Sequence, residues 1–402
     1  MTHVMDLVFI EGVKGTRRAI NLLRDIRDQL QNKNGVNATQ LTTKFDGAPA
    51  IICGIDPLDG VFFVAKKSAF NKTPIIFKSS GDIAISTMSA ELKAMFNILL
   101  EELGKLGIKG IIQGDLLYLK SDLGKQTLNG EECVTFHPNT IVYAVPADSD
   151  LGKRVKSSEI GITFHTVYNG KDLTQLEASY GKDITSSLRD VKSVWATDAI
   201  YKDVTGKANF TVSESDSVNE KLSSIGKLFN STSSAVLNHM HGSKEILDIA
   251  LMYINYRIKN NKFIDTPDNL SRQFLEFTHD RFQMELDKKK SVAGKTVNNE
   301  KREAALKYLN AVALTDLGRV FELAYKIDEV KNIIVTVLNR ASHIGTFFRT
   351  AKGFHVTNQE GFVAINTQRG DVVKLVDRME FSSANFGGTT SDKILRGWET
   401  TT

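Results

Sequence analysis

Two cysteines, Cys53 and Cys133, are all that this 402-residue chain contains. Neither belongs to a Cys-x-x-Cys pair or has a Cys or His partner at zinc-ligand spacing, which argues against a thiolate zinc site. A chain of this length needs no disulfide framework, and so few thiols fit a reducing compartment. Charge of neither sign is in excess: 51 Lys and Arg against 47 Asp and Glu leave a formal net charge of +4. That balance is compatible with a nucleic-acid partner and does not require one. No apolar run approaches the roughly 20 residues of a membrane span. After Met1, the segment Thr2-His3-Val4-Met5-Asp6 shows no basic stretch leading into an apolar run, so no signal peptide is expected. The exclusions leave a cytoplasmic globular protein away from the membrane as the expectation.

What is present falls into three textures. Residues 1–172 mix helices and strands. Ala19, Leu22, Leu23, Ile26 and Leu30 recur at helical spacing and predict a helix over 16–31. Leu92, Met95, Phe96, Leu99 and Leu103 predict another over 90–106. Strands are expected at 48–53, 61–65, 75–78, 110–119, 140–145 and 162–168, punctuated by Asp56-Pro57 and Asp59-Gly60 turns. Residues 173–348 turn helical after a polar, Ser-rich stretch at 213–234. Helices are expected at 244–259, 269–288, 299–326 (interrupted near Asp316-Leu317-Gly318) and 328–342, with 288–299 as a solvated connection. Residues 349–402 return to strands, with 361–366 and 371–376 forming a hairpin turned by Arg369-Gly370. The simplest architecture is α+β, a strand-rich core split by a large helical insertion.

Four short segments carry chemistry. Thr43-Lys44-Phe45-Asp46-Gly47 stands between a polar loop and a strand, where a lysine projects from a strand end. A lysine becomes a nucleophile once deprotonated, and neighbouring cations favour that. A glycine close behind lets backbone approach a bound nucleotide. In Gln113-Gly114-Asp115-Leu116-Leu117, an acid amid apolar strand residues is costly to bury unless paired. It can accept a hydrogen bond from a ribose hydroxyl or cap a loop. Gln359-Glu360-Gly361-Phe362-Val363 and Val372-Val373-Lys374-Leu375 place a carboxylate and a lysine at one end of a hairpin. There they can hold Mg²⁺ and neutralise phosphate, or simply pair across strands.

Lys-x-Asp-Gly, then Gly-acid in a strand, then Glu-Gly-x-Val, then a strand lysine, in that order, resembles the covalent nucleotidyltransferase superfamily of DNA ligases, RNA ligases and mRNA capping enzymes. The nearest likeness is to RNA-ligase-like proteins of large tailed phages. The resemblance implies a nucleotidyltransferase core of antiparallel sheets and helices (the ATP-grasp-like ligase adenylation fold). It implies ATP and Mg²⁺ as cofactors, with Mn²⁺ as an alternative, and nucleic acid as partner, RNA before DNA. Lys44 would be the nucleophile forming lysyl-AMP, and Lys374 would contact the α-phosphate. Asp115 would meet the ribose, and Glu360, with Asp115, the metal. Thr43, Phe45, Asp46 and Gly47 would flank the nucleotide. Phe164 is the candidate for stacking on the base, with Phe136 behind it. The implied activity is ATP-dependent joining of 5′-phosphate to 3′-hydroxyl ends. Alternatives are a ligase-fold protein serving as a nucleic-acid-binding or assembly factor, and a nucleotidyltransferase with another acceptor.

The sequence departs from that pattern in four places. Pro49 stands where many members have arginine, and Asp115 is shorter than the usual glutamate. Val376 replaces a second lysine, for which Arg378, or Lys66 and Lys67, would compensate. With a short tail after Lys374 in the sequence, no OB domain is expected there. Other signals have ordinary explanations. Gly12 to Arg18 reads as a capped helix start at Thr16 before a phosphate site. His239 and His241 face different sides of a helix and suit no single metal. Lys288-Lys289-Lys290, with Lys295, Lys301 and Arg302, reads as a solvated link before a phosphate track. Tyr253 and Tyr256 read as packing residues.

Overall fold

The computed structural model describes residues 1–31, 39–128, 130–202, 207–260, 262, 266–342, 344–378 and 394–397. The architecture is α+β, as expected, and separates into two compact units. The first comprises Met1–Thr39, Ala208–Leu338 and Val372–Gly387; the second Gln40–Lys207, Asn339–Asp371 and Gly388–Thr402. Among the described residues no helix is long and apolar enough to cross a membrane. These divisions depart from the expected boundaries at 172 and 348. The first 39 residues join the helices, and residues 173–207 join the sheets.

In the first unit the helix Gly12–Leu30 buries Ala19, Ile20, Leu22, Leu23, Ile26 and Leu30 on one face. That face packs against the helices Val212–Ser231 and Ser234–Gly242. The helix begins a turn earlier than expected, so Thr16 is no cap; its hydroxyl donates to Gly12 O at 2.8 Å. The Ser-rich stretch is itself the helix Val212–Ser231. It opens with a Thr211–Glu214 capping box and buries only Val218, Leu222 and Ile225. Lys244–Lys259 follows as expected. Pro267–Asp287 starts behind Thr266, whose side chain accepts from Asn269 N.

Val292–Ala311 begins at its Ser291 cap, which shortens the expected lysine-rich link to 288–291. Leu314–Asn339 runs without a break. Gly318 lies inside it because a Cβ there would overlap Pro267 O, so the glycine marks close packing and not an interruption. Lys331, almost fully buried, bonds to Asp328 at 2.8 Å and to Val376 O at 2.7 Å. The short strand Val372–Leu375 pairs in parallel with Thr2–His3. Tyr253 is buried among Phe274, Phe277 and Phe321, whereas Tyr256 is 44% exposed and sets its ring against that of Phe277. His239 stacks on Tyr308.

The second unit is built on sheets. One runs in the order Glu177–Tyr180, Ile160–Asn169, Ile111–Leu119, Ala50–Ile55, Phe62–Ala65, and Val194–Asp198 pairs in parallel with Ile160–Asn169. Its neighbours in that order are antiparallel. A second runs Gly353–Val356, Gly345–Thr350, Ile141–Pro146, Glu131–Phe136, Gly124–Leu128. The helix Ala90–Gly104 packs Phe96, Leu99 and Leu103 with Ile51, Cys53, Ile112 and Leu116 from the first sheet. Ile52, Phe63, Ala65 and Ile111 form a separate core on the other face. The expected strand at 75–78 reduces to a bridge between Phe77 and Val64. The turn after Gly361–Asn366 is tight as expected: Asn366 O accepts from Gly370 N, and Asn366 N donates to Asp371 O, both at 2.8 Å.

Candidate functional site

Lys44 ends the strand Thr39–Lys44. On one side that strand neighbours Gly361–Asn366, with the Thr42 hydroxyl 3.5 Å from Val363 O. On the other, Thr43 N donates to Ala199 O at 2.6 Å and Tyr201 N to Leu41 O at 2.9 Å. Glu360 immediately precedes its strand, and its carboxylate forms an ion pair with the Lys44 ammonium. Two residues set 316 positions apart are thus joined by strand placement.

Past Lys44 the chain turns inward. The buried Asp46 carboxylate accepts from Thr140 N at 2.7 Å, Ile141 N at 2.9 Å and Asn139 Nδ2 at 2.8 Å. Its backbone N–H donates to the Tyr143 hydroxyl at 2.6 Å. Phe45, half-buried, sets its ring 5.8 Å from that of Tyr143. Asp46, held by three donors, is therefore a strut for the loop after Lys44. Gly47 has a steric reason to be glycine: a Cβ there would lie 2.7 Å from Asp115 Cβ and 2.9 Å from Leu116 O. The chain then pairs along the Asp115 strand, Ala48 N donating to Leu116 O and Leu116 N to Pro49 O, with a cis Ala48–Pro49 peptide. Pro49, a departure in the sequence pattern, occupies this edge.

Asp115 lies in register with Ala50 and Thr163. The pairing slips beside it: Gln113 faces Thr166 and Gly114 faces Phe164, so His165 is the extra residue of a bulge. Bulges re-aim side chains and recur beside active sites. Here the bulge brings His165 Nε2 to 3.5 Å from Asp115 Oδ2, while Nδ1 lies 2.6 Å from the Thr166 hydroxyl. His165 does not stand out in the sequence because strand alternation, applied without a bulge, gives it no particular partner.

Tyr143, fully buried, accepts from the backbone of Asp46. Burial pushes its hydroxyl well above the usual tyrosine range, Asp46 adds to that, and Glu360 and Asp115 are near enough to contribute. Lys44, Asp46, Asp115 and Glu360 all belong to the second unit, with Lys44 paired to Glu360, Asp46 bonded to Tyr143 through its backbone and Gly47 packed against Asp115.

Other expected residues stand elsewhere. Phe164 is fully buried in the core with Leu116 and Phe96, and does not present a face to a nucleotide. Phe136 is equally buried and stacks on Tyr143, centroids 5.3 Å apart. Lys66 and Lys67 follow Phe62–Ala65, one strand removed from the Asp115 strand; Lys67 is exposed. Lys374 belongs to the first unit, in register with His3. Arg378 does too, and its guanidinium is committed to Asp6 at 2.8 Å and to Asn255.

Among the described residues no three His, Cys, Asp or Glu side chains are grouped as ligands for a metal ion. Asp46 is buried and held by three donors, whereas Asp115 and Glu360 are partly accessible carboxylates that could meet a metal. One or two carboxylates completed by substrate phosphates suit Mg²⁺, which seldom occupies an all-protein cage. No curated protein and no solved structure matches the chain. A family model described as a family of unknown function, DUF6267, matches residues 1–389, and the chain belongs to that family.

Proposed function

We propose that the protein is a covalent nucleotidyltransferase in which Lys44 takes AMP from ATP. The observation that carries the reading is the Lys44–Glu360 ion pair, with Asp115 in the same unit, three acidic and basic groups of the sequence pattern. Glu360 accepts the ammonium proton of Lys44. The freed amine attacks the α-phosphorus of ATP, an N–P bond forms, the α–β P–O bond breaks, and pyrophosphate departs in line. Mg²⁺, held by Asp115 or Glu360 with phosphate oxygens, would supply charge neutralisation on the pyrophosphate. Asp115, steadied by His165, is placed to accept from a ribose hydroxyl. The acceptor most consistent with the sequence pattern is a nucleic-acid 5′-phosphate, RNA before DNA, whose adenylate is then displaced by a 3′-hydroxyl.

The test is transfer of label. Protein freed of bound adenylate is incubated with α-labelled ATP and Mg²⁺ and resolved on a denaturing gel. Wild type retains label, and Lys44→Ala loses it entirely. Absence of label with ATP and GTP alike would overturn the reading. It would favour the second one, a nucleotide- or nucleic-acid-binding protein without bond formation, to which Val376 in place of a second lysine already points. Labelled protein offered nicked RNA, nicked DNA and other phosphorylated acceptors then identifies the substrate.

A further inference from the structure

The cations around Lys288 divide into those that are engaged and those that are not. Lys301 pairs with Glu245 at 3.2 Å, and Arg302 is partly buried. Lys288 meets Glu285 at 3.5 Å, and the same carboxylate is held by Arg281 at 3.1 Å. Asp287, the other acid at that helix end, accepts from the Gln283 amide at 2.9 Å. Among the described residues, Lys289, Lys290 and Lys295 have no ion-pair partner, and all three are exposed.

The fold also concentrates these three. Pro267–Asp287 and Val292–Ala311 pack against each other within the first unit and are joined by residues 288–291 alone. Lys289 and Lys290 stand in that turn, and Lys295 closes the first turn of the second helix. The Lys289 stem runs along the same turn, since a Cβ on Gly294 would lie 3.7 Å from Lys289 Cδ. Ammonium groups held this close repel one another, and an anion with charges at short intervals relieves that. A short turn between helices is made by Gly, Asn or Ser and does not call for consecutive lysines.

The neutral residues of the hairpin end favour one polyanion. Segments that lie in a lipid interface carry a broad apolar face with Trp, Phe or Leu. Residues 288–299 contain none of these, and their exposed large apolar side chains are Val292 and Val297. With no aromatic ring to stack on a base, the surface suits a phosphate backbone and not a base sequence.

We propose that this hairpin end is a docking surface for a single nucleic-acid strand, in which Lys289, Lys290 and Lys295 neutralise phosphates. Choosing a nucleic acid among polyanions draws on the reading proposed for Lys44, whereas the unpaired cations stand apart from it. The test is fluorescence anisotropy of a dye-labelled single-stranded RNA titrated with full-length protein, without ATP, at salt from about 0.05 to 0.2 M. Each phosphate neutralised adds roughly 0.7 to the slope of log affinity against log salt. The combined variant Lys289→Gln, Lys290→Gln and Lys295→Gln should lower that slope by about 2 and weaken binding about a hundred-fold at roughly 0.1 M salt. Its thermal melt should match wild type, since the three side chains are exposed. The same three positions changed to arginine should keep both affinity and slope. A charge-matched control at exposed lysines on other elements, Lys109→Gln, Lys125→Gln and Lys227→Gln, should bind nearly as wild type does.

The proposal is overturned if wild type fails to saturate by about 100 μM protein at roughly 0.05 M salt, or if the control variant loses as much affinity as the hairpin variant. It is also overturned if phosphatidylserine vesicles or polyglutamate are bound as tightly as RNA. Labelling by ATP should be equal in wild type and the hairpin variant. Lysine-dependent RNA binding without labelling ends the Lys44 reading and sustains this one; labelling without lysine-dependent RNA binding does the reverse.

Discussion

His137 lies on the loop that holds Asp46, and its chemistry is set by where it is folded. Burial, then the nearby Arg349 guanidinium, lowers its pKa from 6.5 to about 4. The imidazole is consequently neutral in the folded protein across most of the acid range. An unfolded chain takes up that proton near pH 6.5, while the folded chain refuses it until about pH 4. Stability is therefore complete above pH 6.5 and falls as pH drops through the window, by roughly 3 kcal/mol in total for this group. Below the window the loss levels off. His137→Gln, which does not titrate, should flatten that limb: the gap between the urea midpoints of wild type and variant should change steadily from neutral pH to about pH 4. A pH-independent gap would remove His137 as the cause. Asp46, two residues from Lys44, is held on the same loop by hydrogen bonds. Its carboxylate accepts from two backbone amides and the Asn139 amide, so a residue that resembles a ligand contact in sequence serves as a support for the Lys44 loop.

The strand pair Ile111–Leu119 and Ile160–Asn169 shows why a glycine precedes the Asp115 carboxylate. A Cβ on Gly114 would lie 2.5 Å from Thr163 O and 2.9 Å from Phe164 Cδ1, beside the bulge that aims His165. Gly114→Ala should cost about 1–3 kcal/mol through overpacking against backbone. At Gly110 an added Cβ would meet no atom within 4 Å and the backbone has no positive φ, so Gly110→Ala should be close to neutral. Chemical denaturation of the two variants decides it, and equal midpoints would contradict the steric account. Elements of this kind are only partly readable from sequence. The strands around Ile51, Ile112 and Ile162 announce themselves by apolar composition, and the Gly-acid pair stands out within one of them. The bulge does not, because it depends on which strand lies alongside. The helix Val212–Ser231 escapes sequence reading for a different reason: three buried residues in twenty form a stripe too narrow to show through a serine-rich surface.

At the scale of the molecule, texture along the chain separates helical from strand-rich regions but does not assign the helix Gly12–Leu30 to its partners. Its apolar face states that something covers it, and the covering helices arrive nearly two hundred residues later. Arg27 reaches Asn219 at 3.2 Å, and Gln31 reaches Ser215. The first unit is consequently not contained in its longest stretch. A fragment of residues 208–338 lacks the helix Gly12–Leu30 and the Val376 carbonyl that satisfies buried Lys331. Its thermal melt by circular dichroism should be broad and non-cooperative, whereas a sharp transition would show that the stretch folds unaided. The Lys44–Glu360 pair has a consequence of the same origin in time. Ribosomes add about 5–20 residues per second, so Lys44 waits on the order of tens of seconds for its carboxylate partner to be synthesised. A nascent chain, or one broken before residue 360, carries the lysine without the carboxylate it pairs with, and the self-labelling chemistry proposed for it is withheld until residue 360 has been added.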